Sequence, residues 1–377
     1  MKILKPLRYL FILGNFLLLF RNFCFKSRGT RIFIYCTILM DIALSISNIP
    51  YIFILILYTR FSVILHIILI LLKSIFLILL SIYHSKNLKN LLFVLNSNND
   101  FMEYDDMYLK NFDSNMILLF ILILYTVVKV VPSLIVSRYL RSGHDLPLLI
   151  LITLKINDIF CDARLFHEYF FMSSILYIFS EQLECIIIVR HRHKRFVAGN
   201  FELSDISVHQ LVQSQYLEKI SEWSDAFSHV EEAIKLFNRI FGIQFSIMMS
   251  STIFYVTSFL YDMTELIVNR HFDTVMVISY LTRISIFHVQ IFMLSRAGQR
   301  LCNNVEHLKR RVAKILLLSL SDDRFYMATQ DFLDHISTGE TRIQAFGFID
   351  VNMTLAPTFI MLYTSYTILA LQFNNIV

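Results

Sequence analysis

Apolar residues fall into long blocks along this chain. Seven blocks approach or exceed the ~20 residues an α-helix needs to cross hydrocarbon. They run from about Ile32 to Tyr58, Phe61 to Tyr83, Met116 to Ser137, Leu146 to beyond Met172, Phe241 to Leu266, Asp273 to Leu294, and Phe346 to Phe373. An eighth run ends at Phe20 and, at about 14 residues, is too short to span. No alanine precedes Ala43, so an A-x-A cleavage site is missing. This run is expected to stay attached and to lie at the membrane interface.

Between the fourth and fifth blocks the pattern changes from solid apolar to periodic. Leu217, Ile220, Trp223, Ala226, Phe227, Val230, Ile234 and Phe237 recur at steps of three and four, which predicts an amphipathic helix. Ser204 or Asp205 can cap its start. Such a stripe must be buried against something. Leu301, Val305, Leu308, Val312 and Ile315 form a second stripe of the same kind. The two together predict a helical bundle outside the membrane.

Composition agrees with the blocks. The chain is 56% hydrophobic and 17% charged, whereas soluble domains carry about a quarter charged residues. Eight Gly and five Pro against 35 Phe favour long unbroken helices. The net charge of +5 gives no reason to expect nucleic acid among the partners. Cys24, Cys36, Cys161, Cys185 and Cys302 show neither CxxC nor zinc spacing. No Walker loop, HExxH or GxSxG is present. The chain is therefore read as no enzyme, with no cofactor and no metal.

The distribution of charge sets the orientation. With the N-terminus in the cytoplasm, the outer loops hold only Arg60, Arg138, Arg141 and Arg270. The inner segments receive the other loop cations, including Arg21, Lys86, Arg190, Lys235, Arg239, Arg300, Lys309 and Arg342. The C-terminus then lies outside. The expected fold is an all-α membrane protein with seven transmembrane helices and a cytoplasmic helical anchor bundle. Its segments are 1–31 (cytoplasmic or interfacial), 32–180 (spans one to four), 181–240 (cytoplasmic extension), 241–296 (spans five and six), 297–345 (anchor helices) and 346–377 (the last span).

Near the C-terminus stands Ser365-Tyr366-Thr367-Ile368-Leu369-Ala370-Leu371-Gln372-Phe373. This stretch resembles the insect gustatory receptor signature of Thr-Tyr, five apolar residues and Gln-Phe. Tyr366, Gln372 and Phe373 match, Ser365 keeps the hydroxyl, and Thr367 is polar where the pattern is apolar. Phe332-Leu333-Asp334-His335, Ala345 to Asn352, Asn238 to Gly242 and Leu4-Lys5-Pro6-Leu7 also look like that family's stretches. The resemblance implies a ligand-gated, non-selective cation channel in the plasma membrane of sensory neurons. It implies a homo- or hetero-tetramer with other gustatory subunits, opened by a small-molecule tastant, with a bitter compound as the default class. It places Gln372 and Phe373 at the outer constriction and Leu369 one turn below. The residues themselves add that Thr354, Thr358, Ser365, Leu369 and Gln372 share one helical face. That face suits a pore closed by dewetting. Small polar residues also glue helices together in membranes, and the stripe alone leaves both readings open.

Several ionisable residues interrupt the apolar blocks, among them Asp41, Lys73, Lys129, Lys155, Asp158, Asp162, Arg164, Asp262 and Arg283. Each costs roughly 2.5–3.5 kcal/mol at mid-bilayer unless it pairs or meets water. Local pairing is one reading, with Lys155 facing Asp158 and Asp162, and Arg164 facing Glu168. The other is an outward-opening cavity holding the ligand among Tyr125, Lys129, Asp158, Tyr255, Asp262, Tyr280 and Arg283. His66 and His288 are expected to pack rather than ligate. Asn352-Met353-Thr354 fits the glycosylation pattern but lies too close to the membrane to be used. A transporter and a non-conducting auxiliary subunit remain as alternatives, though paired halves with broken helices are not visible.

Overall fold

The computed structural model describes residues 4–47, 72, 75–97, 148–198, 206–268, 274–318, 323–345, 347 and 349–373. Among these the chain is mostly helical, with one small hairpin. The described helices are α1 (Leu4–Phe16), α2 (Arg28–Ser47), α3 (Ser85–Ser97), α4 (Leu148–Ala198), α5 (Ile206–Val268), α6 (Thr274–Leu318), α7 (Asp323–Thr338) and α8 (Leu355–Phe373). The hairpin is β1 (Gln344–Ala345) paired antiparallel with β2 (Ile349–Asp350). The third apolar block lies outside the described residues, as do the end of the first and more than half of the second. Two described helices are apolar and long enough to cross a membrane by composition, within Leu217–Val268 and Leu355–Phe373.

Helices α4, α5 and α6 contain 51, 63 and 45 residues. At 1.5 Å rise they measure about 75, 95 and 70 Å, more than twice a ~30 Å hydrocarbon core. The amphipathic stretch from Leu217 to Phe237 is thus continuous with the fifth apolar block. The stripe from Leu301 to Ile315 likewise continues the sixth. No Pro separates either pair, and Gly298, which lies between Leu294 and Leu301, is inside the helix and does not end it. The side chains from Phe227 to Phe237 on that stripe, and Leu301 to Val312, join one core that reaches from Leu7 to Tyr363.

Helix α1 does not lie alone on a surface. Leu7 and Leu10 are buried, and α1 packs on α4. It ends in a Schellman motif: Leu19 N–H donates to Gly14 O at 2.7 Å and Leu18 N–H to Asn15 O at 3.1 Å. Leu18 occupies the left-handed position usually given to glycine, at φ 62°. The reversal carries Arg21 into the bundle.

Arg21 was counted above among the cytoplasmic cations, yet it is only 1% exposed. Its Nε donates to Glu168 Oε1 at 3.0 Å and its Nη2 to Glu168 Oε2 and to Gln244 Oε1. Gln244 Nε2 donates to the same carboxylate at 2.5 Å. The guanidinium also lies over Phe171 and Phe241. Glu168 is therefore neutralised across 147 residues of sequence by Arg21, and not by Arg164 on its own helix as the local-pairing reading had it. Arg164 instead donates its Nε to Leu17 O at 2.8 Å. Both arginines tie the N-terminal segment to α4.

Outside the apolar zone, Arg300 of α6 bridges Glu181 and Glu184 of α4. Glu231 of α5 receives three donors: Lys235 Nζ, His335 Nε2 of α7, and the Glu340 N–H at 3.0 Å. Burial alone would raise its carboxyl, but these bonds outweigh it, and Glu231 titrates below its ordinary value. Helix α7 ends at Thr338, and a glycine fits the next position because a Cβ there would stand 2.9 Å from His335 O. Glu231 thus fastens the elbow from which the chain turns toward the hairpin and α8.

Candidate functional site

The chain approaches α8 through a tightly guided strand. Asn238 Nδ2 donates to Arg342 O and its Oδ1 accepts from Gln344 N–H. Gly347 makes the hairpin turn at φ 78°. Val351 N–H donates to Ile343 O at 2.9 Å. The strand then crosses α6 at Gly298, the point of closest approach, where a Cβ would meet the Val351 backbone. Asn352 Oδ1 accepts from the Thr354 N–H and hydroxyl, an Asx-turn that leads into α8. The sequon asparagine therefore serves the turn into a helix. Pro357 sits in the first turn, where a missing N–H costs nothing.

Helix α8 packs by one face. Leu355, Phe359, Tyr363, Thr367 and Leu371 are buried against α5 and α6. Steps of four move the contact line around the helix, so α8 crosses its neighbours obliquely. At about 100° per residue, the buried line centres about 160° away from the stripe of Thr354, Thr358, Ser365, Leu369 and Gln372. All five stripe residues are exposed, as is Tyr366, and Phe373 is 79% exposed. The polar stripe is thus turned directly away from the chain's own core. After Asp350 no charge interrupts it.

Behind α8 an aromatic wall joins α5 to α6. Tyr255 and Phe287 stack at 6.2 Å, Tyr255 and Phe259 at 6.5 Å, and Phe259 and Tyr280 at 5.4 Å. Arg283 places its guanidinium 5.4 Å from the Phe259 ring centre. Tyr255, Tyr280 and Arg283, three of the expected ligand residues, are therefore brought together. Asp262 is half-buried one turn from Phe259 on α5. Tyr125 and Lys129 lie outside the described residues. Asp158 lies on α4, with its side chain outside them too. Phe259 and Phe287 were missed from sequence. Their signal was present in the four-residue step from Tyr255 to Phe259 and the seven-residue step from Tyr280 to Phe287.

His288 packs as expected, but it also bonds. Its Nε2 lies 2.6 Å from the Tyr363 hydroxyl, and its Nδ1 lies 2.7 Å from Ile284 O. A separate cavity of about 850 Å³ opens where α5, α6, α7 and the hairpin meet. Its lining mixes Arg239, Lys309 and Arg342 with Glu306 and Glu340, so it presents no charge of a single sign. Among the described residues no group of three His, Cys, Asp or Glu could hold a metal.

Compared with known proteins, residues 7–374 match the sequence profile of the 7tm chemosensory receptors. Solved structures similar to this chain include the olfactory receptor OR5 of the insect Machilis hrabei in complex with eugenol. The TM-score is 0.63 at 12% identity, over 99% of this chain and 100% of that one. A second structure of OR5 gives 0.63 at 11% identity with the same coverage. At such identity the likeness concerns the fold. None of the curated proteins matches the sequence.

Proposed function

Because the chain belongs to the 7tm chemosensory receptor family, which is not an enzyme family, we propose that it is a gustatory receptor. In this reading it is a subunit of a ligand-gated, non-selective cation channel in the plasma membrane of sensory neurons. Seven spans carry it, with the N-terminus cytoplasmic and the C-terminus extracellular, divided at the boundaries given above. Four subunits, identical or mixed, surround a pore lined by α8, and the lower halves of α4, α5 and α6 with α7 form the anchor. The observation that supports the pore most directly is the geometry of α8. A helix packed by one apolar face has its other faces free for lipid, another subunit or water. The stripe of Thr358, Ser365, Leu369 and Gln372 is the face farthest from the packing line, and it is the polar one.

Gustatory rather than olfactory identity rests on Tyr366, Gln372 and Phe373, since a fold shared at 12% identity with an olfactory receptor does not separate the two. OR5 was solved with eugenol. A small-molecule tastant, with a bitter compound as the default class, is assigned here to the wall of Tyr255, Tyr280 and Arg283, together with Asp262, Asp158, Tyr125 and Lys129. Cysteine accessibility tests the pore. In cells expressing the full chain, external charged thiol reagents should alter cation current through Ser365→Cys, Leu369→Cys and Gln372→Cys. Phe359→Cys and Leu371→Cys should be silent. Equal reactivity on both faces, or none at 369 and 372, would remove α8 from the pore. A chain that reaches the surface but conducts only beside another subunit would be the auxiliary type.

A further inference from the structure

The aromatic wall and the polar stripe of α8 need a physical connection if ligand binding is to move the gate. Adjacent residues of α6 offer one. Phe287 stacks on Tyr255 with the ring planes 9° apart, on the wall side. His288, the next residue and about 100° around the helix, reaches Tyr363 of α8.

The hydrogen positions follow from the partners. Ile284 O can only accept, so Nδ1 of His288 carries the proton. In the neutral ring Nε2 is then a bare acceptor, and the Tyr363 hydroxyl donates to it. The two rings also meet edge to face at 5.4 Å. Two polar side chains lie on the buried face of α8. Thr367 turns back to Tyr363 O of its own helix, whereas Tyr363 crosses to α6. In hydrocarbon, apolar packing between helices competes with equally apolar lipid. A directional bond therefore weighs more in fixing α8 on α6 than its Leu and Phe contacts suggest.

We infer that His288 is a positioning residue that couples the ligand-facing side of α6 to the pore helix through Tyr363. The inference rests on the pore reading above. Rotation or shift of α6 on ligand binding displaces Phe287 and His288 together, and the bond transmits that displacement to the middle of α8. Spatial intermediacy alone does not establish coupling, so the test is a double-mutant cycle with a readout of gate position.

Leu369→Cys in the full chain serves as the parent. An external charged thiol reagent must pass Gln372 and Phe373 to reach it, so the modification rate without ligand follows the time the gate is open. Tyr363→Phe removes one oxygen, and His288→Leu removes the acceptor. Each should change the rate about threefold to tenfold in the same direction, the range of interhelical hydrogen bonds in membranes. The double variant should change it no more than the larger single. His288→Gln, which keeps an acceptor near the Nε2 position, should stay close to the parent. Additive effects, unchanged rates, or failure of glutamine to restore what leucine loses would overturn the coupling. A parent whose cysteine never reacts overturns the pore reading itself, and the gating role of the pair with it.

Discussion

Gly298→Ala places one methyl group where α6 is crossed by the strand leading into α8. The new Cβ would lie far inside contact distance of the Val351 carbonyl oxygen, 2.9 Å from its carbonyl carbon and 3.1 Å from Cγ1. The two nearest are backbone atoms, held from both sides. Val351 N–H is bonded to Ile343 O at 2.9 Å, and Met353 N–H is bonded to Gln299 Oε1 at 3.2 Å. Retreat of Val351 strains or breaks both bonds, at about 1 kcal/mol each. Forcing a methyl group into a packed site adds about 1–3 kcal/mol. Against this, alanine in place of glycine favours a helix by about 1 kcal/mol. The net expectation is a loss of roughly 2–4 kcal/mol. The assay is thermal unfolding of the detergent-purified protein, followed by size-exclusion fluorescence. The midpoint should fall by several degrees, roughly 3–6 °C. Gly29→Ala on α2, where a Cβ meets nothing within 4 Å, is the control and should be neutral or slightly stabilising. If Gly298→Ala melts at or above the wild-type temperature, the close crossing of strand and helix is wrong.

Arg21→Ala leaves Glu168 buried without its cation and should cost about 3–5 kcal/mol, read as loss of the monodisperse peak on size exclusion. Replacing both residues by Met should recover more protein than Arg21→Ala alone, and wild-type yield from the single variant would contradict the buried pair. Glu231→Gln should lower the melting temperature at neutral pH by the equivalent of about 1 kcal/mol, because one charged acceptor of three donors is lost. The Glu231 carboxyl is depressed in the folded state. Its contribution is therefore complete above its ordinary range and fades as pH falls through the depressed value. The gap between wild type and Glu231→Gln should close in acid, and a gap that widens instead would refute the clasp at the elbow.

Helix formation and amphipathic pairing were legible in the sequence because they depend on local composition and short periods. The stripe from Leu217 to Phe237 and the one from Leu301 to Ile315 could be found by counting threes and fours, and most of their members are buried. The polar line on α8 could be found the same way. What periodicity could not give was continuity. Polarity shifts near Asn238 and Leu294 look like boundaries, yet the helices run straight through them. The hairpin at Gln344–Ala345 and Ile349–Asp350 was likewise hidden, being two residues per strand.

The sequence by itself determined the material of this protein: long apolar helices, an uneven distribution of charge, and a last helix with a line of polar residues along one face. Those properties are local, so they survive being read one window at a time. The tertiary structure decided which charges meet, that Arg21 belongs to Glu168 and Gln244, and that His288 belongs to Tyr363. It also decided that the face of α8 bearing Thr358, Ser365, Leu369 and Gln372 points away from the core. Partners 147 and 75 residues apart are chosen by how whole helices cross, and no spacing along the chain encodes a crossing.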